Sequence, residues 1–237
     1  MASTLSIPET ISREAVAGML GGEHWDGQVG DDGDVDMLSE PWGVALDLAW
    51  EGMVAGTTPV GCVVIDGDGA VVTRGRGRRY DRDAARGQLS YSHLAHAELN
   101  ALAQLPPTQR YEGLTVLTTL EPCILCVGAA IMATVGKVEY AGADPYGGAA
   151  HLVLKNAHTT RLMPQIIGPD RGALGTFGAL LHYAFYLERN PHGAVVDAYR
   201  QDLPHFVRDV DSTGVTEEVL RLKAEQRARS EVMALIL

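Results

Sequence analysis

The sequence predicts an α/β fold in which helices cover a mixed sheet, and three observations carry that prediction. Short runs rich in β-branched residues, at 59–66, 70–73, 113–119 and 137–141, alternate with segments rich in helix formers. The first two runs flank Gly67-Asp68-Gly69, a turn signal that makes them an antiparallel hairpin. The later runs are separated by helix-length segments, the spacing of parallel strands joined by crossovers.

Along the chain, residues 1–40 form a leader whose Gly- and Asp-rich part, 21–36, has no usable hydrophobic period and reads as an arm. Asp32, Asp34 and Asp36 alternate as in a calcium loop, but Met37 stands where the sharp-turn glycine belongs, so a solvated acidic loop is expected. Pro41 opens a helix reaching about Ala55, with Ser39 available as its cap. Residues 74–86 are a loop with six arginines, and 92–105 read as a helix stopped by Pro106-Pro107. Pro122 opens the next helix. Beyond Gly142 the pattern predicts a strand within 162–168, a buried helix over 176–189 and an amphipathic helix over 215–237. The domain division expected is an arm (1–40), a central domain (41–190) and a C-terminal helical extension (191–237).

Composition narrows the function classes. The 237 residues are 46% hydrophobic and 21% charged, enough apolar surface to offset the entropy of ordering the chain. Against 30 Asp and Glu stand 19 Lys and Arg, a net charge of −11, so a nucleic-acid partner would need a local basic patch and a small-molecule substrate fits better. No run approaches the roughly 18 apolar residues of a membrane helix, and the N-terminus lacks a signal-peptide pattern, so a cytoplasmic protein is expected. Three cysteines cannot make a disulfide scaffold, and Cys123 and Cys126 form a Cys-x-x-Cys pair.

The chemistry concentrates in two short stretches, His96-Ala97-Glu98 and Pro122-Cys123-Ile124-Leu125-Cys126, each at the start of a predicted helix. The cysteine pair alone also fits a redox dithiol or half of a structural zinc site, but neither gives His96 and Glu98 a role. One imidazole and two thiolates hold zinc and leave its fourth tetrahedral position to water, the pattern of a catalytic site. Helix N-termini favour the thiolate over the thiol. Glu98, two residues from His96, is placed to shuttle a proton rather than to bind metal. Cys62, inside an apolar strand, reads as packing. His93 reads as a surface or pocket-rim residue, because a second imidazole ligand would fill the position that water needs.

His-x-Glu with Pro-Cys-x-x-Cys is the signature of the zinc-dependent deaminases. The chain resembles the cytidine deaminase superfamily, and within it the branch of tRNA adenosine deaminases and guanine deaminases. The resemblance rests on Pro59-Val60-Gly61, His96-Ala97-Glu98, Thr119-Leu120-Glu121-Pro122-Cys123, Gly128-Ala129-Ala130, Asp144-Pro145 and Gly148-Ala149-Ala150 in that order, over about residues 41–190. It implies a cytidine deaminase-like three-layer α/β/α fold with a mixed five-stranded central sheet, here with extra terminal helices. It further implies one zinc per chain on His96, Cys123 and Cys126, Glu98 as general acid/base, and a homodimer. Three features depart from that branch: residues 74–79 lack the asparagine that contacts the base, the loop over 80–92 is longer, and both termini are extended.

The expected activity is hydrolytic deamination of a small amino-substituted aromatic N-heterocycle, with tRNA adenosine deamination and a zinc-binding protein without turnover as alternatives. Arg76, Arg78 and Arg79 are candidate substrate contacts as an anion clamp at the pocket mouth; the alternative is a solvated loop neutralised by Asp81 and Asp83. By the resemblance Asp144 contacts substrate, or else it caps the turn after it. Phe177, Tyr183, Phe185 and Tyr186 are read as core residues, with a base-stacking shelf as the alternative.

Overall fold

A computed structural model describes residues 39–83, 86–151 and 156–237. The arm and acidic loop read from residues 1–40 lie outside the described residues, apart from Ser39 and Glu40. The chain runs α1 (Glu40–Val54), β1 (Gly61–Ile65), β2 (Val71–Arg76), α2 (Ala97–Leu102), β3 (Thr115–Leu120), α3 (Ile124–Ala133) and β4 (Lys137–Gly142). It continues with α4 (Ala157–Arg161), β5 (Gln165–Ile167), α5 (Ala173–Arg189), α6 (Ala194–Asp202), α7 (Pro204–Thr213), α8 (Val215–Ala224) and α9 (Arg229–Ile236).

The five strands make one sheet in the order β2-β1-β3-β4-β5. β1 pairs antiparallel with both β2 and β3, while β3, β4 and β5 pair parallel. Four strands therefore share one direction and only β1 opposes them. The C-terminal ends of β2, β3 and β4 fall on the same edge of the sheet, together with the N-terminal end of β1. In open α/β sheets that edge is where ligands bind.

Strand alternation sends side chains to opposite faces, and both faces are covered. Cys62 and Val64 of β1 pack with Val116 and Leu120 of β3 against Ala97, Ala101 and Leu102 of α2 and Ala130 of α3. Val63 and Leu117 turn the other way, to Ala45 of α1. This double burial explains why β1 reads as an unbroken apolar run rather than an alternating one. Beyond α1 lies the largest apolar cluster, in which Leu46 and Met53 of α1 meet Phe177, Leu180, Tyr183 and Phe185 of α5, all fully buried. Tyr199, Val210, Val219 and Met233 from α6 to α9 join the same cluster. The arrangement is the three-layer α/β/α sandwich expected, with the terminal helices added to the α1–α5 side.

Local departures from the sequence reading have local causes. Helix over 92–105 shrinks to α2, because residues 92–96 form a tight turn, Ala95 N donating to Ser92 O at 3.1 Å and His96 N to Leu94 O at 2.8 Å. The helix announced by Pro122 starts two residues later, with Cys123 extended at its cap. The single terminal helix over 215–237 is two helices: Gln226 takes a left-handed conformation (φ 52°), and Trp50 Nε1 donates to the Arg227 carbonyl at 2.8 Å. The strand expected within 162–168 is confined to β5, and α6 and α7 lie in the first half of the expected helical extension, where the pattern names no individual helix.

Two glycines set how closely the site-bearing helices approach the sheet. A Cβ on Gly75 of β2 would lie 2.5 Å from the Ala97 carbonyl oxygen and 2.6 Å from Ala101 N, both backbone atoms of α2. A Cβ on Gly178 of α5 would lie 1.9 Å from the Thr119 carbonyl oxygen of β3. Neither neighbour is a flexible side chain that could swing aside. Gly43 in α1, by contrast, has nothing within 4 Å of such a Cβ. We therefore expect Gly75→Ala to destabilise the protein by about 1–3 kcal/mol or more in urea unfolding, and Gly43→Ala to be neutral or to stabilise by up to about 1 kcal/mol. Equal midpoints for the two variants would refute this account of the helix–sheet contact.

Candidate active site

The loops that leave the C-terminal ends of β2, β3 and β4 meet in one cavity of about 180 Å³. His96, Ala97 and Glu98 enter at the start of α2; Leu120, Glu121, Cys123 and Cys126 enter from the end of β3 and the first turn of α3. His96 and Cys123 are both N-caps in extended conformation, at φ −81°, ψ 154° and φ −73°, ψ 174°. A cap residue leaves the helix axis, so each side chain can reach across to the other helix.

Three donor atoms converge as a result. His96 Nδ1 lies 3.5 Å from Cys123 Sγ and 3.4 Å from Cys126 Sγ, and the sulfurs are 3.5 Å apart. Tetrahedral zinc with ordinary Zn–S and Zn–N bonds separates its ligand atoms by about 3.6–3.8 Å. The donor set therefore fits zinc in both chemistry and spacing, and these three residues form a metal-ligating group among the described residues. Their proton chemistry agrees: the shared hydrogen bond with Cys126, and then His96, draw the Cys123 thiol down to about 4. The same hydrogen bond and burial push Cys126 up, while Cys123 raises His96. A bound cation would replace the protons that the trio otherwise shares.

Glu98 is buried beside the trio, 5% exposed. Its Oε1 accepts a hydrogen bond from Thr118 Oγ1 at 2.7 Å, and its Oε2 lies 3.1 Å from Cys126 Sγ. Thr118 of β3 thus fixes one carboxylate oxygen and aims the other at the donor cluster. Glu121 has a different task. It accepts from the backbone N–H of Asp144 (3.3 Å) and of Ala150 (3.2 Å), and so clamps the loop after β4. That loop is also tied to the zinc helix by Ala149 N donating to Pro122 O at 2.9 Å.

The arginine loop divides. Arg76 and Arg78 both hold Asp81, at 2.8 and 2.9 Å, and Arg78 also donates to Gln88 Oε1 at 2.6 Å. Neither lines the cavity, so the neutralised-loop alternative describes them. Arg79 does line it, with Nη2 2.6 Å from His93 Nδ1 at the rim. Asp144 caps its own turn, Oδ1 accepting from Tyr146 N and Gly147 N at 3.0 Å each, yet it also lines the cavity. Both expectations for Asp144 therefore have support in the geometry. Phe177, Tyr183 and Phe185 are core, while Tyr186 reaches the cavity wall. Cys62 is fully buried in β1, where burial raises its thiol.

Sequence reasoning passed over two residues. Asn100, fully buried on α2, donates through Nδ2 to the carbonyls of Arg76 and Leu89 (3.1 Å each) and accepts from Leu89 N at 2.7 Å. It pins the long loop before His96; the signal was an amide in a short helix whose other residues are Ala, Leu and Glu98. His182 lines the cavity from α5. No local pattern announces it, because its role depends on where α5 meets the sheet.

The chain is 40% identical over 119 residues to a tRNA(Ile)-lysidine synthase of Deinococcus deserti, a match covering 48% of this chain and 20% of that one. It is 32% identical over 93 residues to a tRNA-specific adenosine deaminase of Bacillus subtilis, covering 39% of this chain and 54% of the relative. It is 33% identical over 91 residues to a cytosine deaminase of Candida albicans, covering 38% and 55%. The chain thus spans about a fifth of the first relative and about half of the other two. Among solved structures, a guanine deaminase from Bacillus subtilis matches at 27% identity with a TM-score of 0.38, covering 45% of this chain and 66% of that one. Residues 39–142 match the family model of the cytidine and deoxycytidylate deaminase zinc-binding region, a stretch that contains His96, Glu98, Cys123 and Cys126.

Proposed function

We propose that the protein is a hydrolytic deaminase of a small amino-substituted aromatic N-heterocycle, a free base or nucleoside, acting through one zinc on His96, Cys123 and Cys126 with Glu98 as general acid/base. The observation that carries this reading is the Glu98 carboxylate, buried, oriented by Thr118 and aimed at the three-ligand cluster. Zinc, when bound, supplies Lewis acidity that brings the pKa of water to about 7. Ligation requires the Cys126 thiolate, which leaves Glu98 Oε2 free of that sulfur's proton. Oε2 then takes a proton from the attacking water, delivers it to the ring nitrogen beside the amine-bearing carbon, and a second transfer releases ammonia. Overall, water and the amine exchange: a C–O bond forms, a C–N bond breaks, and no oxidant is needed. Thr118 keeps the carboxylate in one position through both transfers.

Residues 41–190 are taken as the deaminase domain and 191–237 as its extension. On α3, Ile124 is 65% and Met132 77% exposed, with the half-buried Gly128 one turn from each, and this apolar face supports a homodimer. No helix of the described residues is long and apolar enough to cross a membrane.

A tRNA adenosine deaminase is the second reading. It is favoured by the Bacillus subtilis relative's activity and by Arg79, which lines the cavity without a carboxylate partner among the described residues. The net charge of −11 weighs for the small substrate.

Three outcomes check these statements. Purified protein should carry close to one zinc per chain by atomic emission; Cys126→Ala should lose it and Cys62→Ala keep it, and stoichiometric zinc in Cys126→Ala would refute the ligand set. Glu98→Gln should retain zinc while its kcat in an ammonia-release assay falls by several orders of magnitude, since an amide cannot carry the proton. Activity within about tenfold of wild type would mean that another group moves it. Finally, kcat/KM on free bases and nucleosides should barely change between 50 and 200 mM salt, whereas a tRNA enzyme making several phosphate contacts would lose about 10³-fold or more over that range.

A further inference from the structure

The cavity receives side chains from both helical layers. The ligand cluster and Glu98 come from α2 and α3, on one face of the sheet. His182, Tyr186 and Val195 come from α5 and α6, on the other. The register of α5 explains how. Gly175 approaches the carbonyl of Ala141, and Gly178 lies against Thr119 and Gly142 at the ends of β3 and β4. One further turn carries His182 past the strand ends and over the site. Tyr186, four residues on, follows on the same side of the helix and meets the His182 ring edge-on at 4.9 Å between centroids.

His182 is 5% exposed, and its Nδ1 lies 3.1 Å from Tyr199 Oη. Tyr199 Oη also lies 3.3 Å from the Ala143 carbonyl, which can only accept, so both contacts are hydrogen bonds only when the hydroxyl gives its single proton to that carbonyl. What remains at Tyr199 Oη for His182 is a lone pair, and Nδ1 must carry the hydrogen. In the neutral ring Nε2 is then an acceptor, and it is the polar atom left for the cavity that His182 lines. Burial favours the neutral ring by lowering its pKa, although nearby Asp144 opposes this. Asp144, lining the same wall, is a second acceptor. A wall of acceptors recognises donors.

We infer that His182 reads the edge of the heterocycle away from the reacting amine, accepting through Nε2 a hydrogen bond from a second N–H, on a ring or exocyclic nitrogen, so that the preferred substrate is a free base bearing such an N–H. The inference rests on the deaminase reading above and narrows its substrate class. Tyr199 is a positioning residue that sets the tautomer. The residues concerned, in α5 and α6, lie outside the 39–142 stretch that carries the zinc.

Two measurements on the zinc-loaded full chain test this. In ¹⁵N NMR of the imidazoles, His182 should show its proton on Nδ1, and Tyr199→Phe should disturb that state; a proton on Nε2 in wild type would overturn the inference. In calorimetry on Glu98→Gln protein, cytosine, adenine and guanine are compared with derivatives methylated at the ring N–H. At least one base should bind about ten- to a hundredfold more tightly than its methylated form, the range for leaving a buried acceptor unpaired. Adding His182→Phe, with zinc content and melting temperature as folding controls, should shrink that gap to within about threefold, and His182→Gln, which keeps an acceptor, should restore part of it. An unchanged gap in His182→Phe, no gap in its parent, or no binding of any base would overturn the inference. If the gap behaves as expected but wild type releases no ammonia, the deaminase reading fails and the His182 assignment stands; ammonia release with an unchanged gap fails the assignment alone.

Discussion

Three donor atoms within 3.5 Å of one another, drawn from the first turns of two different helices, are the constraint on which the rest of this structure depends. Such a cluster forms only if α2 and α3 begin at the same edge of the sheet. The reversed direction of β1 achieves this, since a strand paired antiparallel with both its neighbours leaves β2 and β3 running the same way. Gly75 then permits α2 to settle onto β2 at backbone contact, which fixes the height at which His96 and Glu98 stand. Thr118, one residue of β3 facing the same layer, completes the geometry by holding Glu98. Sheet order, glycine placement and one threonine hydroxyl all serve to bring three donor atoms and a buried carboxylate to one point.

Much of this was legible in the sequence because the functional groups lie next to helix starts, where local signals are strongest. His96-x-Glu98 and Pro122-Cys123-x-x-Cys126 announce both residue type and position. What the sequence could not show was that His96 and Cys123 are caps rather than helix residues, since a cap differs from a first turn by dihedral angles and not by composition. The arginines illustrate the opposite limit. Six of them in a short stretch look like one feature, but Arg76 and Arg78 form an internal ion-pair group on Asp81, Arg82 lies over the Tyr91 ring, and of the six only Arg79 lines the cavity. The break at Gln226 was likewise invisible in an amphipathic pattern that continues across it, because the cause is a tertiary hydrogen bond from Trp50, 177 positions away.

The C-terminal helices carry a division of labour. Residues 39–142 contain the metal-ligating residues, yet the cavity they open onto is closed by α5 and α6. Those helices are not a loose appendage, since Tyr199 and Phe185 share a continuous buried core with Leu46 and Met53 of α1. Each fully buried aliphatic or aromatic side chain of this kind contributes roughly 1.5–3 kcal/mol relative to exposure. A wall fastened this firmly holds His182 and Tyr186 at fixed positions over the site, and rigid support is what makes a hydrogen bond selective rather than merely attractive.

Electrostatics follows from the same layout. The chain is strongly acidic, and the Glu98 carboxylate and Asp144 both face the cavity, so an anionic substrate approaches against charge unless a cation compensates. Arg76 and Arg78 cannot compensate while Asp81 engages both, which leaves Arg79 at the rim, its guanidinium beside His93 and near the Tyr80 ring. A zinc dication bound by two thiolates has its charge largely neutralised, so it adds little long-range attraction for a phosphate. Among the described residues that line the cavity, Arg79 is thus the one Arg or Lys, set against several fixed acceptors, and this balance supports the proposed neutral ring with N–H donors over a nucleotide.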